Sequence, residues 1–262
     1  PQTVALRKQL EAMPNGGVYA LTIPLAPYRC PPGPYERACM VASYFKKAKP
    51  RSKVIIFDAN EDIQSKKGLF LKAWKEHYDG MIEYRPKHAV TDVDAATNTL
   101  KFEFNDDFKP AVANVVPAMR AGDIAVKTGL ATANKRWCEV DWLTFESKAV
   151  KNVHVLGDAL QIAPAMPKSG HMANQHGKTC AAAVVALLTG KQPAQLPIYN
   201  NTCYSFVTEE DVVHVASVHR YDAAQKTMLT VPGSGGVSSA ASELEGRYAM
   251  AWARNIWADV LA

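Results

Sequence analysis

The chain has 262 residues, 48% of them apolar and 21% charged, a globular composition with material for one large domain or two ordinary ones. Its formal net charge of +5 comes from scattered basic residues ("FKKAKPRSK", "SKKG", "ANKR"), a solvated face rather than a nucleic-acid tract. No apolar run is long enough to cross a membrane, and no signal-peptide pattern is present.

In chain order, residues 16–24 predict a buried strand. Residues 34–48 predict a helix, with Pro34 in the first turn, where a missing N–H costs nothing. "KVIIFDA" (53–59) is the short, continuous apolar run of a parallel strand. Leu69, Phe70, Ala73, Trp74 and His77 set a helix over about 66–78, and "MIEYRP" a third strand. "HAVTDVDAATNTLKFEFND" alternates about a "DAATN" turn and predicts a hairpin. This order is the layout of a nicotinamide-type Rossmann domain. "FKPAVANVVPAMRAGDIAVKTGL" reads as a strand and a crossover, and "VKNVHVLGDA" (150–159) as another buried strand. A loop, an alanine-rich helix at 171–189 and a linker at 192–196 follow. Residues 198–231 hold three antiparallel strands, and about 241–261 a final helix with Tyr248, Trp252, Ile256 and Val260 on one stripe. Core packing accounts for that stripe better than a membrane surface, because the charges among it are mixed in sign.

The first strand-to-helix turn is unusual. A phosphate-cradling turn needs glycines and free N–H groups. "APYRCPPGPYERACM" (26–40) instead carries Pro27, Pro31, Pro32 and Pro34. A dinucleotide is therefore not expected at this turn, and Asp58, at the end of the second strand, reads as structural. What the loop does hold is Cys30, just before a helix N-terminus whose dipole favours thiolate. Glu36 in the first turn serves either as a dipole-compensating acid or as a proton acceptor near the sulfur.

The five cysteines (30, 39, 138, 180 and 203) show no paired CxxC spacing, which argues against zinc. Cys39, Cys138 and Cys180 read as buried and structural. Cys203, in "YNNTCYSFV", is either a core residue of a strand or half of a pair. "VHVLGDA" followed by a loop and a helix start recurs in FAD-dependent disulfide-reductase-like folds, where the Asp accepts flavin hydroxyls and the helix end faces the flavin. His171 and His176 flank that helix start and read as structural.

Taken together, "CPPGPYERA", "VIIFDAN…SK", "HVLGDA…MPKSG…AN…GK" and "NTCYS" resemble the flavoprotein subunit of flavocytochrome c sulfide dehydrogenase. The resemblance implies an α/β fold in three parts. These are a Rossmann-like unit that does not bind NAD (1–115), part of an FAD domain (116–192) and a C-terminal α+β domain (193–262). It implies a redox-active disulfide between Cys30 and Cys203, with Glu36 beside it. Flavin contacts would come from Asp158, Ala159, Lys168, Ser169 and Trp257. It further implies oxidation of sulfide to sulfur or polysulfide, FAD as cofactor, a c-type cytochrome subunit as partner and a periplasmic setting. The family's opening strand, its GxGxxG-type turn and its flavin-attaching cysteine are not in these residues. The chain is therefore expected to be a fragment that holds FAD poorly and is inactive alone. Competing readings are a sulfide:quinone oxidoreductase relative, an NAD(P)H-dependent flavin disulfide reductase and a non-catalytic docking module.

Overall fold

The computed structural model describes residues 1–261. A four-stranded parallel sheet holds the first part of the chain, built from β1 (Val18–Ile23), β2 (Lys53–Asp58), β3 (Ile82–Arg85) and β6 (Val112–Asn114). Its strand order, β3-β2-β1-β6, is that of half a Rossmann sheet, with β1 at the centre. β1 and β2 are buried on both faces, which is why their sequences are continuously apolar. Alternate residues serve different cores. Tyr19, Leu21, Ile23, Val54 and Ile56 pack under α2 (Gly33–Ala48) and α3 (Lys67–His77). Ala20, Ile55 and Phe57 face the hairpin of β4 (Val90–Asp94) and β5 (Thr99–Phe102), against Leu100 and Phe102. Each fully buried Ile or Phe here stabilises the fold by roughly 1.5–3 kcal/mol.

An N-terminal helix, α1 (Gln2–Ala12), is one that no sequence pattern announced. It has no buried residue and touches the core only through half-buried Leu6 and Leu10. The predicted strand at 150–159 does not form. His154 makes one isolated bridge to Glu146, Leu156 is 41% exposed, and Gly157–Ala159 is a 3-10 turn. A strand exists only through its neighbours, and among the described residues this segment meets only isolated partners, the 144–147 turn and Cys138, rather than a sheet edge. Short α4 (Asp123–Lys127) is the single α-helix of the stretch between β6 and α5. Trp137, Cys138, Phe145 and Leu160 build its core with little regular structure.

Ser169 caps α5 (Gly170–Leu188), its Oγ accepting from the Met172 N–H at 3.1 Å. The second sheet is antiparallel. β8 (Val212–Asp222) lies between β7 (Ile198–Phe206) on one edge and β9 (Thr227–Thr230) and β10 (Gly236–Val237) on the other. α6 (Glu243–Leu261) lies on this sheet. A Cβ at Gly246 would stand 2.3 Å from the Glu210 carbonyl, so only glycine permits this approach. The stripe expected on α6 is split. Trp252 and Ile256 are half-buried, whereas Tyr248 and Val260 face solvent, because Gly246 and Ala249 centre the inner face. With both sheets in place, β7, the α2 N-terminus and the α3 N-terminus stand side by side.

Candidate functional site

The proline turn delivers Cys30. The residue sits in the left-handed region (φ 52), which costs a non-glycine residue of order 1 kcal/mol. Two backbone bonds hold it there. Its N–H donates to the Lys168 carbonyl (2.7 Å), and its own carbonyl accepts from the Gly33 N–H (2.8 Å). The sulfur folds back over Gly33, where an added Cβ would lie 2.9 Å from Sγ. The one glycine of this turn therefore makes room for a thiol.

Cys203 arrives from the other end of the chain, in the middle of β7 opposite Val215. Its Sγ lies 3.6 Å from the Asn201 side chain. Asn201 Oδ1 accepts from Ser169 Oγ at 2.5 Å, and the residue before Ser169 accepts the Cys30 N–H. A continuous run of contacts thus joins Cys30, Lys168, Ser169, Asn201 and Cys203. Both cysteines are free thiols in this structure.

Burial pushes the Cys30 thiol up to about 11, and the charges of Cys203 and Glu36 add to the rise. The residue as a whole is solvent-exposed at the loop surface, with its sulfur against Gly33. The thiolate expected from the helix dipole is therefore not favoured. Desolvation and two like charges outweigh the end of one helix. Burial also raises Cys203, opposed by the Asn201 hydrogen bond and the charge of Lys66. Glu36 Oε1 accepts the Phe206 N–H at 2.9 Å, so this acid reaches across to β7 rather than back to its own helix. Burial raises its carboxyl above the ordinary range, opposed first by that bond and then by Lys66.

Lys66 is a site residue that its sequence context hides, since "SKKG" has the look of a solvated pair. Lys67 beside it is indeed exposed, bound to Asp62. Lys66 is 7% exposed, also in the left-handed region (φ 54), and donates to the carbonyls of Cys203 (2.9 Å) and Val213 (3.3 Å) and to Ser205 Oγ (2.7 Å). Nothing in "SKKG" tells the inward lysine from the outward one.

Cys203, Asn201 and Lys168 line an apolar cavity of about 430 Å³, walled by Pro27, Pro31, Pro32, Ile162, Met166 and Val215. Lys168 also borders a second cavity of about 450 Å³ containing Arg29, Asp158 and Ala159. Buried Lys168 donates to the carbonyls of Asp158 (2.9 Å) and Leu160 and lies 3.6 Å from the Trp137 ring centre; burial pulls it down to about 8. It locks the Gly-Asp-Ala turn through the backbone, which leaves the Asp158 carboxylate beside the cavity with no hydrogen bond from another described residue. This donor and acceptor set suits a flavin. It offers a free carboxylate for hydroxyls, an apolar slot for a ring, and a helix start at Ser169 with first-turn N–H groups for a ring carbonyl.

Trp257 does not join these residues. It is 60% exposed and lines neither cavity. Five residues on, it is turned about 140° around α6 from Trp252, which packs on His171 and Tyr204. His176 is buried among Trp142, Phe145 and Tyr199, accepts from the Gly157 N–H, and is held neutral by burial, its pKa lowered to about 3. His171 accepts from the Thr202 N–H. Both histidines are structural. So is Asp58, fully buried and bonded by Tyr35, Tyr84 and Asn60.

Residues 3–117 match the family described as the central part of the sulfide dehydrogenase [flavocytochrome c] flavoprotein chain. Residues 195–261 match the flavin-binding family of flavocytochrome c sulphide dehydrogenase. Among solved structures, the fold is similar to the sulfide:quinone oxidoreductase of the hyperthermophilic bacterium Aquifex aeolicus. The TM-score is 0.70 at 14% identity, over 98% of this chain and 61% of that one. It is also similar to a chain of the Tetrahymena thermophila mitochondrial ATP synthase F1Fo tetramer, with TM-score 0.60 at 16% identity, over 79% of this chain and 51% of that one. At such identities the likeness is one of fold, and this chain spans about three fifths of the oxidoreductase it matches. The two family matches together span well over half of the sequence, and the chain belongs to the flavocytochrome c sulfide dehydrogenase flavoprotein family.

Proposed function

We propose that this chain is part of a flavoprotein that oxidises sulfide through the Cys30–Cys203 pair and passes the electrons to a c-type cytochrome subunit. The observation that carries the reading is the convergence of Cys30 and Glu36 on Cys203, from opposite ends of the sequence, with Cys203 and the prolines that follow Cys30 lining one apolar cavity. The pair alternates between the dithiol seen here and a disulfide. Hydrosulfide attacks the disulfide, so a new S–S bond forms to one cysteine and the old one breaks. The other cysteine leaves as thiolate with the electron pair. Glu36, its carboxyl raised by burial, takes the proton of the incoming sulfur. A second hydrosulfide removes the outer sulfur as hydrodisulfide. Return of the dithiol to disulfide then releases two electrons.

Bound FAD would supply the two-electron acceptor, held by Asp158, Ala159, Lys168 and Ser169. Lys168 fixes the turn that presents the Asp158 carboxylate, and Ser169 opens the helix end beside the slot. The proline walls exclude water from the sulfur chemistry and offer no N–H to a phosphate. A c-type cytochrome partner places the protein in the bacterial periplasm.

The test uses the full flavoprotein. After addition of sulfide, mass spectrometry of the cysteine peptides is expected to show one added sulfur at Cys30 or Cys203, and cytochrome c to be reduced. Addition at neither residue would overturn the reading. Reduction of a quinone but not of cytochrome c would move the protein to the quinone-linked class, and reduction of the flavin by NADH would move it to the disulfide reductases.

A further inference from the structure

The unexplained group at this site is Lys66. A buried ammonium ordinarily sits against a carboxylate. Lys66 has no carboxylate within ion-pair distance among the described residues. Its three donors go to neutral oxygens, two carbonyls and a hydroxyl. The anionic or ionisable groups near it are Cys203 on β7, Glu36 on α2, Cys30 in the proline loop and Glu245 on α6, in that order of influence. Two of the four are the thiols. Lys66 is also tied directly to the backbone of Cys203, and its own backbone is held in a conformation that lysine adopts only under constraint. The fold thus ties an amine that burial pulls down to about 8, short of a permanent partner, to the backbone of Cys203, with two thiols raised by burial nearby.

We propose that Lys66 is a positioning residue for the cysteine pair, the counter-ion of the negative charge that appears when the disulfide opens. Resting on the sulfide-oxidation reading, the bond exchange is balanced in charge before the proton of the incoming sulfur, left on the new persulfide, passes to Glu36. Hydrosulfide brings one negative charge, the S–S bond breaks, and the released cysteine leaves carrying that charge as thiolate beside the ammonium. The same contact orients Cys203 through its carbonyl. Glu36 acts in the opposite direction, disfavouring thiolate at both sulfurs, so the two residues together set the fraction of thiolate present.

The test needs neither sulfide nor flavin, so its outcome is separate from that of the function above. The reduced chain is alkylated with iodoacetamide across pH, and the rates at Cys30 and Cys203 are read from their peptides. In the unaltered protein Cys203, whose carbonyl binds the ammonium, is expected to react at lower pH than Cys30; the reverse order would count against the proposal. Lys66→Gln is expected to raise the apparent thiol pKa of Cys203 by about one unit, roughly a tenfold slower reaction at pH 7, where the Lys66 ammonium still dominates. Lys66→Met, which keeps the stem and drops the charge, is expected to do the same if the Gln variant fails to fold. Lys66→Arg, which keeps the charge, is expected to restore most of the rate. Profiles unchanged in a folded charge-free variant, or an Arg variant as slow as Gln, would overturn the assignment and leave Lys66 a structural tie between α3 and the second sheet.

Discussion

Asp58 and Lys66 stand at the two ends of the β2–α3 connection, and each is met only by neutral hydrogen-bond partners; what differs is the groups that lie beyond those partners. Asp58 is fully buried, and both carboxylate oxygens are matched by donors: the hydroxyls of Tyr35 and Tyr84 on one, the N–H and side-chain amide of Asn60 on the other. Around Lys66 the hydrogen bonds are also made, but two thiols raised by burial and one raised carboxyl stand beyond them. A satisfied buried network stabilises a fold and does little else. A buried amine beside groups that can become charged is where a reaction that creates charge has most to gain. This explains why an acid at the ribose-binding position of a Rossmann-like sheet is inert here, while an unremarked lysine nearby is not.

The contrast can be broken at several points. The largest effect is expected from Cys30→Ser or Cys203→Ser, each lowering sulfide-dependent cytochrome c reduction in the full flavoprotein by on the order of 10³-fold or more, with the melting temperature little changed. Next, Asp58→Ala is expected to cost about 3 kcal/mol, because it strands the tyrosine hydroxyls and the Asn60 amide. Denaturant unfolding would show this, while the alkylation profiles of Cys30 and Cys203 stay as they are. A shift in those profiles would show that the two clusters are one.

Glu36→Gln should act through pH. A carboxyl raised in the folded state binds its proton more tightly there than in the unfolded chain. Its contribution to stability is therefore present at low pH and lost as pH rises from the ordinary value of 4.5 through the raised one. Thermal melts of the unaltered protein should decline across that window, and those of Glu36→Gln should not, since the amide oxygen still accepts the Phe206 N–H. The smallest effect is expected at Trp257. Exposed and apart from both cavities, its change to Ala should move stability by less than about 0.5 kcal/mol. A large loss of flavin binding on that change would show that the ring reaches the cofactor in the full protein.

Much of the fold was legible where hydrogen bonds are local or the pattern is periodic. The continuous apolar runs of β1 and β2, the alternation of the hairpin, the proline-started α2 and the alanine-rich α5 all declared themselves. The stretch between β6 and α5 did not. "VKNVHVLGDA" has the composition of a strand but finds no sheet edge, and α1 has too weak an apolar face to be seen. At the site, Cys30, Cys203 and Glu36 could be singled out by residue type and by resemblance, whereas Lys66 looked like its neighbour Lys67.

By itself, then, the sequence determined the strands and helices that carry a clear apolar pattern, and that the first turn carries a thiol in place of phosphate donors. Both follow from properties of a few adjacent residues: apolar period, missing N–H groups, the φ of proline. Only the tertiary structure decided how charges meet. Burial turned the helix-end cysteine into a neutral thiol, sent Glu36 across to Phe206, chose one of two adjacent lysines to face inward, and rotated Trp257 away. The ionisation of a group depends on everything within several ångströms of it, and those neighbours come from β7, α2, α3 and α6, far apart in the chain.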